Sequence, residues 1–91
     1  MNINKYSNPS IVMKKAKELN LNPIQLSTRK DKKYMVLNPN TNKMVHFGQM
    51  GYEDYTIHKD EKRRELFKKR NHKWATAEKY SPAWLSYYLT W

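Results

Sequence analysis

Cysteine is absent from the chain. Its absence removes any disulfide framework and any thiolate metal site, and it suits a reducing compartment. Glycine occurs only at positions 48 and 51, so other left-handed turns must fall to residues such as asparagine. No apolar run approaches the roughly 20 residues that a membrane-spanning helix needs. The opening MNINKYSNPS has no hydrophobic stretch of the kind a secretory signal requires. These absences lead us to expect a protein that is not secreted. It would be kept in the cytosol or nucleus, or packed into a particle assembled there.

Acidic residues are also scarce, 8 Asp and Glu against 18 Lys and Arg, for a formal net charge of +10. The excess is uneven. Residues 1–51 carry +7, residues 52–58 carry −2 through Glu53 and Asp54, residues 59–73 carry +5, and residues 74–91 are neutral. A basic body with one acidic notch and an aromatic tail favours polyanionic partners: DNA, RNA, acidic protein surfaces or anionic lipid. The plainer reading of the same charge is a solvated surface that keeps a small protein soluble.

The chain of 91 residues is read as one small basic domain, with residues 1–7 as a flexible arm. A chain this short buries only about 60–65% of its unfolded surface, so aromatics must thicken the core; three Trp, seven Tyr and two Phe are available. Asn8-Pro9 reads as a helix cap followed by a first-turn proline. Val12, Ala16 and Leu19 then recur on one helical face, with Lys14, Lys15 and Lys17 away from it. Asn20 or Asn22 ends this helix before Pro23. Residues 24–28 alternate as a half-buried strand, and a second strand holds Tyr34, Val36 and Leu37. The run from Asn38 to Asn42 is a turn, and Lys43 to Phe47 a third strand. Gly48 to Gly51 leads out of the sheet toward a second helix from about Ile57 to Asn71. Ser81-Pro82 starts a last segment with Trp84, Leu85, Tyr88 and Trp91 on one face. The predicted fold class is α+β: a small three-stranded antiparallel sheet packed by two or three helices. The predicted core is Val12, Leu19, Leu26, Val36, Leu37, Val45 and Phe47, with Trp84 and Trp91 packed on the sheet or first helix.

Candidate functional residues centre on the second helix. Lys59, Lys62, Arg63, Arg64, Lys68, Lys69, Arg70 and Lys73 repeat positive charge along it, as phosphate contacts require. Tyr52, Tyr55 and Trp74 flank it and are placed to stack on bases or sugars. Lys30, Lys32 and Lys33 at the first hairpin extend the same surface. The alternatives are a solvated charged helix, or a surface for an acidic protein partner.

Glu53, Asp54 and Asp60 lie near His46, His58 and His72, and Asp54 and His58 would meet one helical turn apart. Carboxylate and imidazole can begin a metal site or an acid–base pair, but no ligand spacing here matches a metal or catalytic signature. The stronger expectation is that Glu53 and Asp54 pair with Arg63 or Arg64, or cap the basic helix. No cofactor and no catalytic residue is expected.

Several strings carry a family resemblance: Lys33-Tyr34-Met35-Val36, His46-Phe47-Gly48, Gly51-Tyr52-Glu53-Asp54-Tyr55-Thr56, His58-Lys59-Asp60 with Arg63-Arg64, and Arg70-Asn71-His72, completed by Trp84, Leu89 and Trp91. Over residues 24–91 the chain resembles small basic proteins of nucleocytoplasmic large (giant) DNA viruses. The resemblance implies a viral setting, the virion or the viral factory in the host cytoplasm, and no reaction. Together, charge and resemblance lead us to expect a non-enzymatic, largely sequence-independent binder of nucleic acid, double-stranded DNA above all. A minor capsid or cement protein that meets acidic shell proteins is the alternative, and a small metal-dependent nuclease a third class.

Overall fold

A computed structural model describes residues 3–91. The order of elements is a 3-10 turn at Ile3–Lys5, α1 (Pro9–Glu18), β1 (Gln25–Leu26), β2 (Lys32–Asn38), β3 (Lys43–Gln49), α2 (Tyr55–His58), α3 (Glu61–Arg70), a 3-10 segment at His72–Thr76, α4 (Pro82–Leu85) and a π-helical turn at Ser86–Thr90. The strands form one antiparallel sheet in the order β1-β2-β3. The fold is therefore a small α+β arrangement, as the alternation and turn residues predict.

Local chemistry sets most of the element ends. The Asn8 side chain accepts from the Ser10 N–H, with Pro9 in the first turn of α1. The β2–β3 hairpin turns through Asn42 at φ 59°, and the Asn38 side chain accepts from the Asn40 N–H. Ser81 caps α4 by accepting from the Trp84 N–H.

Register decides which side chains reach the core. Tyr34 lies opposite Phe47, and Val36 opposite Val45. These residues turn toward the helices, and the Tyr34 and Phe47 rings meet at 5.6 Å between centroids. α4 packs on β3, and the π turn meets α1. The core is Val12, Ala16, Ile24, Tyr34, Val36, Phe47, Tyr80, Leu85 and Leu89.

Three predicted core leucines lie outside that group. Leu37 alternates with Val36 and sits opposite Met44 on the solvent side, Leu26 lies on a two-residue edge strand, and Leu19 is the C-cap residue where α1 stops. Leu85 and Leu89 take their places at 0% exposure. The tail packs as expected in kind but differently in detail. Trp91 stacks on Phe67 of α3, with rings 4.2 Å apart and 7° from parallel. Trp84 is half-buried against the core and meets the Tyr88 ring.

Two further expectations need correction. Within the predicted arm Ile3 packs against the core and Ser7 is buried, while Asn4 and Lys5 are exposed; Met1 and Asn2 lie outside the described residues. Ser7 is fully buried and accepts from the Tyr34 hydroxyl at 2.6 Å. The Tyr6 carbonyl accepts from the Asp54 N–H. A buried tyrosine hydroxyl needs a partner, and this requirement holds the segment down.

The expected single helix from Ile57 to Asn71 is two. Lys59 adopts a left-handed conformation at φ 51° and ends α2, and Asp60 restarts the chain by accepting from the Lys62 and Arg63 N–H groups. An aspartate with two free backbone donors ahead of it competes well with continuing a helix that buries almost no apolar surface.

Candidate polyanion-binding surface

Apart from the buried Lys33, the basic residues of the candidate surface fall into three environments. Lys59, Lys62, Arg63, Lys69, Arg70 and Lys73 are exposed along and beside α3. Among the described residues, none of them forms an ion pair. The helix that carries them exposes its only leucine, Leu66, by 50%. Its inward side is built instead from Arg64, Phe67, Lys68 and Asn71, all half-buried.

Lys33 is not part of this surface. It is 3% exposed, and its ammonium donates to the Tyr52 carbonyl at 2.6 Å, to Asp54 at 3.1 Å and to the Tyr6 carbonyl at 3.4 Å. Burial pushes Lys33 below the ordinary lysine range, while Asp54 pulls the other way. Its stem runs beside Gly48, where an added Cβ would sit 3.1 Å from the lysine Cβ. Gly48 also has φ 81°, so the position needs glycine for space and for conformation.

Asp54 pairs with this lysine, whereas pairing with Arg63 or Arg64 was expected. It also caps α2 by accepting from the Thr56 N–H at 3.0 Å and from the Thr56 hydroxyl. Thr56 in turn bonds Ser7 and accepts from the Asn8 N–H. The acidic notch is thus a structural knot that ties together the N-terminal segment, β2 and α2.

The second environment is a cleft of about 460 Å³ at the end of the sheet, beside α3 and α4. Tyr52, Trp74, Phe67, Trp91, Lys32 and Glu53 contribute to its lining. Of the predicted stacking residues, Tyr52 is 69% exposed and freely presented. Trp74 is half-buried, edge-on to Phe67 at 5.8 Å. Lys32 lies on this cleft and also on a second one shared with Lys30. Lys30 itself is exposed and does not line the aromatic cleft.

The third environment lies between α1 and α3. The Lys15 ammonium sits 5.9 Å from the Tyr55 ring centroid, and the Arg64 guanidinium 4.8 Å from the same ring. One helical turn on, the Lys68 ammonium lies 4.6 Å from the Tyr87 ring. Tyr55 is therefore not a free stacking platform; its hydroxyl also donates to Glu61. Arg64 is held in place, with Nε donating to the Trp91 carbonyl at 2.8 Å. Lys15 and Tyr87 were not singled out by the sequence. Lys15 falls on the polar side of α1 and is half-buried, beside the Tyr55 ring of α2.

The histidines are dispersed. His46 bonds the Ser27 hydroxyl at 2.7 Å and His72 the Lys69 carbonyl at 3.2 Å. Among the described residues, no group of three or more His, Asp or Glu side chains is placed to hold a metal ion. His58 does not meet the Asp54 carboxylate. Its Nδ1 accepts from the Asp60 N–H at 3.0 Å, and its ring packs on Trp91 at 5.1 Å between centroids. Its Nε2 is buried with no hydrogen-bond partner among the described residues.

Burial, and then the Arg63 charge, hold His58 below the ordinary histidine value of 6.5. The unfolded chain therefore takes up this proton first as pH falls, so folding stability drops below about pH 6.5 and the loss levels off once the folded form is also protonated. Protonation at Nδ1 also breaks the bond from Asp60, the cap of α3. The expected result is a thermal midpoint that falls below pH 6.5 more steeply in the wild type than in His58→Phe. Parallel pH profiles for the two proteins would remove His58 from this role.

A model of a family described as a family of unknown function (DUF5754) matches residues 23–74, a segment that contains the whole sheet, the Lys33–Asp54 pair and α3. No curated protein and no solved structure matches the chain.

Proposed function

The chain belongs to the DUF5754 family, and we propose that it is a non-enzymatic protein that binds DNA through its phosphates, largely without regard to sequence. The observation that carries this reading is the exposed cation set along and beside α3: Lys59, Lys62, Arg63, Lys69, Arg70 and Lys73, none paired with a carboxylate among the described residues. Charge kept out of ion pairs costs the fold little and is available to displace counterions from a polyanion. Phosphate contacts position a protein on DNA without reading its bases. Tyr52 and Trp74, which line the aromatic cleft with Lys32, supply aromatic surface for sugars or unpaired bases. The resemblance drawn from the sequence suggests the setting, a giant-virus particle or factory. In that setting the competing partner is an acidic shell protein.

Fluorescence anisotropy with duplex DNA across a salt series tests the proposal. Binding should weaken steeply with salt and change little between unrelated sequences. Arg63→Glu with Arg70→Glu should weaken it by at least tenfold at low salt with the thermal midpoint nearly unchanged, because both residues are exposed. Absence of binding at low salt would favour the shell-protein reading.

A further inference from the structure

The positive groups of this third environment differ from the outward row because they are half-buried against aromatic rings: Lys15 and Arg64 lie against the same Tyr55 ring, and Lys68 follows Arg64 by one turn of α3. Lys15 comes from α1, Arg64 and Lys68 from successive turns of α3, and Tyr55 and Tyr87 place a ring beside each ammonium. Among the described residues, neither Lys15 nor Lys68 has a carboxylate within ion-pair distance. Arg64 is 3.8 Å from Glu61, an outward-facing residue that also accepts from Tyr55.

Crowding like charges in a partly desolvated place is unfavourable. The lysines register it. Burial and then Arg64 depress Lys15, with Asp54 and Glu18 opposing, and burial, Arg64 and Lys15 depress Lys68. A small anion seated among the three would cancel this repulsion, with a guanidinium fork and two ammonium groups as donors.

We infer that Lys15, Arg64 and Lys68 form a phosphoryl-binding notch, distinct from the outward cations of α3. Its ligand class is a phosphate oxyanion, supplied either by the DNA backbone or by a free phosphorylated molecule. The first source rests on the proposed function; the notch itself does not.

Inorganic pyrophosphate is the probe. Against sodium chloride at matched ionic strength, it should raise the thermal midpoint of the wild-type protein. The rise should vanish in Lys15→Gln with Lys68→Gln and persist in Arg63→Gln with Arg70→Gln. Titration of the wild type, followed by amide and arginine side-chain NMR, needs no variant. Lys15, the Arg64 Nε–H and Lys68 should shift, and Arg63 and Arg70 should not. If backbone phosphate is the source, the Lys15 and Lys68 double variant should lower the salt slope of DNA binding by about 0.9, the value of one phosphate.

A pyrophosphate response at the notch without any DNA binding keeps the notch and assigns it to a free phosphorylated ligand. DNA binding with no pyrophosphate response, or a response centred on Arg63 and Arg70, overturns the notch and leaves the proposed function standing.

Discussion

Replacing Asp54 with alanine is expected to destabilise the protein by about 3–5 kcal/mol, the cost of leaving a buried charge without its partner. Lys33 would keep its ammonium at 3% exposure with only the Tyr52 and Tyr6 carbonyls to hold it. The same substitution removes the cap of α2 and the acceptor of the Thr56 hydroxyl. Replacing the other partner should cost less. Lys33→Met keeps the stem beside Gly48, and the carboxylate left behind still accepts from the Thr56 N–H and hydroxyl. Asp54→Asn should fall between the two, because it can keep the cap but not the charge. Urea unfolding of the three variants gives the ranking. A loss below about 1 kcal/mol for Asp54→Ala, the level of an exposed pair, would show that the lysine finds water and that the knot is not a buried ion pair.

Removing residues 81–91 is expected to abolish cooperative folding. The segment contributes Leu85 and Leu89, both at 0% exposure, and buries Thr90 to 2%. It also supplies the Trp91 ring that covers Phe67 and His58. Trimming one such leucine to alanine typically costs about 2–5 kcal/mol, against a total stability on the order of 5–15 kcal/mol for a domain. Losing both together with the aromatic stack exceeds what a core this small can spare. The single variant Leu89→Ala should still fold, with a lowered midpoint. A truncated chain that melts cooperatively near the full-length midpoint would mean that the tail is not part of the core.

The truncation also bears on the proposed function, because the tail shapes both parts of the surface proposed to meet a ligand. Trp91 lines the aromatic cleft and its carbonyl fixes Arg64, while Tyr87 lies beside Lys68. Loss of the proposed DNA binding on truncation is therefore expected through loss of structure. The charge-reversal pair on α3 is the cleaner probe of phosphate contact.

What the sequence by itself determined is local. Asn8-Pro9 and Ser81-Pro82 start helices, Asn38 and Asn42 turn a hairpin, and alternating apolar and polar residues mark the strands of one antiparallel sheet. Each depends on groups a few residues apart, so adjacent letters suffice to state it. The tertiary structure decided which of several equivalent side chains went inward. Lys32 and Lys33 are neighbours of identical chemistry, yet only Lys33 passes Gly48 to meet Asp54, 21 residues away. Along α3 the apolar residues are too few to orient the helix, so Trp91 and Tyr55 do it from outside. They draw in Phe67 and Arg64 and leave Leu66 in solvent. Periodicity states which residues share a helical face, but the inward face depends on what packs against it. For a strongly charged helix those contacts come from distant parts of the chain.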